Sequence, residues 1–273
     1  MTMFWKNTHT LDAFVPCLGQ TVAPEDAEVA VIGSKPVDMM QFPRLRGIFK
    51  CGIGLDNVPF DVCNGRGIKV GLPSSQTASI IYEETAAYAV GFVFRMLFSN
   101  VGDLITWQKF ARPYVADRTV LVMGKGNIGK RVLEKLKGTV KVLTYDIQED
   151  VESDLETRMR LADVVTLHVP LDATTKGMLD ERKLGWMKDG AALVNTARGP
   201  IVDELALLKE IKDGRLRAAF DVFWNEPYRG SLSEYHPDRF FMSPHVASTN
   251  EAFLKSLGSD FSDFVSRLNM ESI

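Results

Sequence analysis

The chain has 273 residues, 45% hydrophobic and 25% charged, with a formal net charge of −3. That suffices for a sizeable core in one large or two modest domains, and it leaves no basic excess to attract nucleic acid or an anionic membrane. No run approaches about 18 uninterrupted apolar residues, so no membrane span is predicted.

Met1–Thr10 has no apolar core of a signal peptide, and none is predicted. Cys17, Cys51 and Cys63 are odd in number and lack C-x-x-C spacing, which predicts reduced thiols in a cytoplasmic protein. The four histidines, His9, His168, His236 and His245, show no metal-ligand spacing, so no metal site is expected.

In chain order, residues 29–33, 45–49 and 68–70 read as short buried strands of a small α/β domain. A long helix pattern follows from Ile80 to Phe98. Then Val120–Met123, a buried-strand run, leads into Gly124-Lys125-Gly126-Asn127-Ile128-Gly129, a G-x-G-x-x-G turn, and a helical run over Lys130–Lys137. Gly124 permits the tight turn, Gly126 lets a pyrophosphate approach the backbone, and Gly129 lets the helix pack on the strand. The helix N-terminus offers unpaired N–H groups to phosphates. A second strand, Val140–Tyr145, ends on Asp146, roughly 20 residues beyond the turn, where a carboxylate can hold the adenine ribose hydroxyls. A 2′-phosphate there meets like charge, and Ile147 and Gln148 follow rather than arginine, so NAD is predicted over NADP. A lone G-x-G-x-x-G is weak evidence; the strand, helix and terminal acid around it make dinucleotide binding the reading.

Further apolar runs lie at residues 163–169, 191–196, 216–222 and 239–242, with a helix pattern over Glu204–Lys212. Strands alternating with helices predict a doubly wound parallel sheet, a Rossmann-type α/β domain. Residues 251–269 carry apolar side chains at helical spacing, so this last helix must cover an apolar surface.

Arg198, Glu226 and His245 lie at or just beyond the C-terminal ends of the last three strands, where ligands bind in open parallel sheets. A guanidinium can hold a carboxylate through paired hydrogen bonds. A histidine can exchange a proton with an alcohol, and a carboxylate beside it orients the ring and favours the imidazolium. Together they suit hydride transfer between NAD(H) and a 2-hydroxy acid. An isolated strand-end arginine is more often an ordinary ion-paired surface residue, so the grouping carries the reading.

These motifs resemble the D-isomer-specific 2-hydroxyacid dehydrogenase family, in its phosphoglycerate and hydroxypyruvate–glyoxylate reductase branch. Gly52-Ile53-Gly54-Leu55-Asp56-Asn57-Val58 is similar to the family's substrate loop. Residues 168–171 with Thr175 and Gly177 resemble the turn beneath the adenosine. Residues 195–199, 221–227 and 244–247 resemble the segments carrying the catalytic arginine, glutamate and histidine. The resemblance implies a flavodoxin-like substrate domain over residues 1–98, rejoined by a C-terminal helix (250–273), and a Rossmann NAD-binding domain over 99–249. It implies catalytic Arg198, Glu226 and His245. NAD contacts fall to Gly124, Gly126, Asn127, Ile128, Gly129, Asp146, Val169, Pro170, Thr175, Thr196, Ala197, Asp221 and Ala247. Substrate contacts fall to Lys50, Cys51, Gly52, Ile53, Gly54 and Arg198. It also implies a homodimer. Lys50 suits a phosphate or second carboxylate, or is a solvated surface lysine.

The chain also departs from the family. It shows no clear strand before Leu11, the segment before the Gly-rich turn is abbreviated, Gly71-Leu72-Pro73 stands where Asn-x-Pro is common, and Asn127 replaces a frequent arginine. A different class stays open, an NAD(H)-sensing interaction protein of the C-terminal binding protein type, which binds the cofactor without turnover. Formate oxidation on the same scaffold is disfavoured by Glu226.

Overall fold

The computed structural model describes residues 1–99 and 101–270. Asn100, within the predicted 99–249 domain, and residues 271–273, the end of the predicted C-terminal segment, lie outside the described residues. The chain divides into two compact units. One comprises Met1–Ile81 with Ser248–Ile273, and the other Tyr82–Ala247.

The first unit is built on β1 (Thr2–Lys6), α1 (Val15–Leu18), β2 (Gly19–Thr21), β3 (Val29–Ile32), β4 (Gly47–Lys50), α2 (Phe60–Arg66) and β5 (Lys69–Gly71). Its five strands are parallel, in the order β2-β1-β3-β4-β5. That is the flavodoxin-like order. The expectation of no strand before Leu11 is corrected, because β1 stands inside this sheet with β2 on one side and β3 on the other. Phe4 is its fully buried anchor. Five residues with polar ends make too short a run to show either apolar length or alternation.

Alternate side chains of the sheet feed two cores. Val29, Val31 and Phe49 join the C-terminal helix, Glu251–Met270, through Phe261, Phe264 and Leu268. Ala30, Ile32 and Ile48 pack with Cys63 of α2. The Phe261 ring meets those of Phe4 and Phe49 at 5.5 and 5.1 Å. The apolar face read from the last helix therefore covers the first sheet. A Cβ at Gly71 would stand 2.6 Å from Phe264, so glycine lets helix and sheet approach. Asp260 adds a polar anchor, accepting from Ser74 N at 2.9 Å and Thr77 Oγ1 at 2.6 Å.

Helix α3 (Ser75–Leu97) contains the division between the units. It begins earlier than its apolar pattern because Ser74 accepts from Thr77 N and acts as the cap. The second unit opens with a hairpin, β6 (Gly102–Asp103) and β7 (Gln108–Lys109), that the apolar pattern does not reveal. Next come β8 (Thr119–Met123), α4 (Asn127–Leu136), β9 (Lys141–Tyr145), α5 (Glu152–Leu161) and β10 (Val164–Leu167). The unit continues through α6 (Glu181–Leu184), β11 (Ala192–Asn195), α7 (Glu204–Lys212), β12 (Arg217–Phe220) and β13 (Phe240–Met242).

Six parallel strands run β13-β12-β11-β10-β8-β9. Val120 and Val122 face a core shared with α3 and α4. Leu121 and Met123 face one shared with α5 and α7. Both faces are covered, which is why these strands read as unbroken apolar runs. The order reverses at β8, flanked by β9 and β10, and the crevice at such a switch point is where an open α/β sheet binds ligands.

Candidate active site

The crevice at the end of β8 is shaped by close approaches. Gly124 has φ +94°, and a Cβ there would lie 2.5 Å from the His168 carbonyl. A Cβ at Gly129 would lie 1.9 Å from the Gly124 carbonyl, so α4 packs on the turn only with glycine. Gly126 has nothing within 4 Å of its missing side chain. It opens α4, and no side chain caps the N–H groups there, near Asn127 and Ile128. Enclosure pushes His168 down to about 3, although part of the residue stays accessible, and its Nε2 lies 3.0 Å from Thr166 Oγ1.

Asp146 follows β9, and its Oδ2 accepts from Lys125 N of the turn at 2.8 Å. Val169 and Pro170 follow β10. Thr175 Oγ1 donates to Pro170 O at 2.7 Å and accepts from Asp172 N at 2.9 Å, so this buried hydroxyl holds the turn together. Thr196, just past β11, is buried at 6% exposure, and its Oγ1 has no hydrogen-bond partner among the described residues. An open glycine, an uncapped helix start and an unanswered hydroxyl fit a dinucleotide laid along the strand ends.

Three strand-end segments carry the predicted chemistry. At the end of β11, Asn195 ties the turn that follows, accepting from Ala197 N at 3.0 Å and donating to Arg198 O at 2.9 Å. Arg198 leaves this turn in extended conformation, half-buried, with Nη1 on Ala197 O at 2.8 Å. A Cβ at Gly199 would stand 2.1 Å from the Phe223 carbonyl carbon, so the segments after β11 and β12 lie in contact.

After β12, Asp221 is fully buried. Its carboxylate accepts from Ser243 Oγ at 2.5 Å, Val246 N at 2.9 Å and Ala247 N at 2.8 Å. Burial pushes its pKa up, against the pull of these donors. Those three bonds close the turn after β13, and His245 within it takes φ +53°, a left-handed conformation uncommon for histidine. The ring then meets Glu226, with Nδ1 at 3.0 Å from Oε1 and 2.9 Å from Oε2. Phe223 N donates to Glu226 Oε1 at 3.2 Å and fixes the carboxylate in turn.

The structure thus brings Glu226 and His245 into contact, with Arg198 on the neighbouring strand end. Lys50, Cys51, Gly52, Ile53 and Gly54 lie at the end of β4 in the other unit. The solvated alternative for Lys50 is corrected: it is 2% exposed, with Nζ on Gly33 O at 2.5 Å and Asn57 Oδ1 at 2.6 Å. Burial pushes the Cys51 thiol up to about 12. Sequence reading placed Asp221 and Ala247 against the cofactor; here Asp221 and the Ala247 N–H bond each other. It passed over Asn195 and Lys125, which stand inside the motifs, and Ser243, which lies one residue before the histidine segment.

Residues 102–247 match the family described as D-isomer specific 2-hydroxyacid dehydrogenase, NAD binding domain. The chain belongs to this family. It is 34% identical over 233 residues to a glyoxylate reductase of Thermofilum pendens, covering 76% of this chain and 66% of that protein. It is 31% identical over 262 residues to a glycerate dehydrogenase of Methylorubrum extorquens, covering 88% and 82%. Among solved structures, D-lactate dehydrogenase from Aquifex aeolicus, complexed with NAD and lactic acid, superposes with a TM-score of 0.81. That likeness spans 99% of this chain and 96% of the other at 22% identity, and it concerns the fold. The chain is therefore an oxidoreductase of the 2-hydroxyacid dehydrogenase family with an NAD(P)-binding domain. Among the described residues, no helix is long and apolar enough to cross a membrane.

Proposed function

We propose that this protein is an NAD-dependent reductase of small 2-oxo acids, run reversibly as a D-2-hydroxyacid dehydrogenase. The observation that carries this reading is the two-oxygen contact of Glu226 with His245 Nδ1. It leaves Nε2 as the ring atom for substrate. Bound NAD(H) supplies the redox chemistry, a hydride given to or taken from the carbon that carries the oxygen. In reduction, His245 Nε2 delivers a proton to that oxygen; in oxidation it receives one. Glu226 holds the ring and balances its charge. Arg198 anchors the substrate carboxylate. In the other unit, Lys50, engaged with Gly33 and Asn57, steadies the loop of residues 51–54.

The relatives' names, glyoxylate reductase, hydroxypyruvate reductase and glycerate dehydrogenase, support glyoxylate, hydroxypyruvate and glycerate as the substrate class. Asp146 supports NAD over NADP, since its carboxylate suits a ribose hydroxyl and repels a 2′-phosphate. A homodimer is the proposed assembly, supported by exposed apolar side chains on the β6–β7 hairpin.

The test is NADH oxidation with glyoxylate, hydroxypyruvate, phosphohydroxypyruvate and pyruvate. Turnover with at least one is expected, and NADH binding without turnover of any would favour the sensing reading. Arg198→Lys keeps charge but loses the planar fork, so kcat/KM should fall by about 10²-fold, on the order of 3 kcal/mol. Near-wild-type turnover would remove Arg198 from the mechanism.

A further inference from the structure

Lys125 is the first variable residue of the Gly-rich turn, and its backbone N–H is fastened to Asp146 Oδ2 at 2.8 Å. Its side chain therefore starts beside the carboxylate that suits the ribose 2′-hydroxyl. The ammonium is paired with Glu149, an exposed carboxylate three residues past Asp146. Next to them, Asp150 Oδ2 accepts from Asp146 N at 2.9 Å and pairs with Arg158 Nη1 at 2.9 Å. Each of these two cations is matched to a carboxylate, and Asp146 brings a further negative charge.

A 2′-phosphate needs a cation at this place, as an arginine provides in NADP-binding sheets of this type. A cation is present here, in Lys125. We propose that Glu149 is a specificity-determining residue, which withholds Lys125 from a 2′-phosphate and so excludes NADP together with Asp146. The inference deepens the NAD reading and rests on it. The carboxylate at 149 acts through charge and not through contact with the hydroxyl, so its removal should leave NADH binding nearly unchanged.

The experiment measures Kd for NADH and NADPH by titrating intrinsic fluorescence of the full chain in wild type, Glu149→Gln, Lys125→Met and the double variant. In Glu149→Gln, NADPH should bind about fivefold more tightly, the scale of one exposed ion pair, while NADH stays within about twofold. The gain should vanish in the double variant and shrink at high salt, where the screening length drops to about 3 Å at 1 M. An unchanged NADPH Kd in Glu149→Gln, or a gain that survives loss of Lys125, would overturn the inference. The wild-type ratio tests the NAD reading separately: equal affinity for the two cofactors would sink that reading, while the double-variant comparison still decides whether Glu149 restrains Lys125.

Discussion

His245 owes its position to backbone geometry. The left-handed turn that holds it is closed by Asp221, and the ring it presents is squared against Glu226. His245→Gln should lower turnover about 10²-fold or more, the usual scale for a general acid–base group. Glu226→Gln keeps the size and removes the charge that holds and balances the ring at Nδ1. Turnover should fall in that variant while NADH affinity holds; an unchanged kcat would dissolve the pairing. His168 makes a separate case, because enclosure lowers it from its ordinary 6.5 to about 3. Between these values the unfolded chain takes up a proton that the folded chain refuses. Stability should therefore fall as pH drops from 6.5 towards 3, with no contribution above that window. Urea midpoints at pH 7.5, 6 and 5 should fall less steeply in His168→Asn. Residue types at strand ends announced Arg198, Glu226 and His245. The Asp221 bonds were not legible, since Asp221 and Ser243 lie 22 residues apart and only strand order joins them.

At the scale of elements, the strand–turn–helix unit at Gly124–Gly129 separates packing from binding. Gly129→Ala puts a methyl into the Gly124 carbonyl, so α4 must lift from β8. It should lower stability by roughly 1–3 kcal/mol, as overpacking does, and weaken NADH binding as well. Gly126→Ala meets open space and should leave the melting temperature nearly unchanged while NADH affinity drops, because the methyl stands where phosphate approaches. Equal losses of stability in the two variants would refute this division. Elements buried on both faces, such as β8, β10 and β11, were plain in the sequence as apolar runs. β2, α2 and the β6–β7 hairpin were not, because they are short and carry polar or glycine residues.

The whole molecule presents two parallel sheets, each with a core on both faces. Neither strand order follows from counting apolar runs; it depends on β1 and β8 taking inner places in their sheets. The hairpin offers Leu104, Ile105 and Trp107 at 83%, 97% and 78% exposure. Such a concentration on one short turn supports the proposed dimer, since Trp is an enriched anchor at interfaces. Light scattering should give twice 30.4 kDa for the wild type and one chain mass for Ile105→Asp with Trp107→Ser. A wild-type monomer would end the dimer proposal. The cysteines carry a practical consequence. Cys51 and Cys63 are buried, and burial pushes both thiols up, while Cys17 in α1 is exposed. Only a thiolate attacks a maleimide. The folded chain thus carries its own single attachment point for a dye, in the first unit. Intact mass spectrometry should find one adduct per native chain, with the other two thiols labelled only after unfolding.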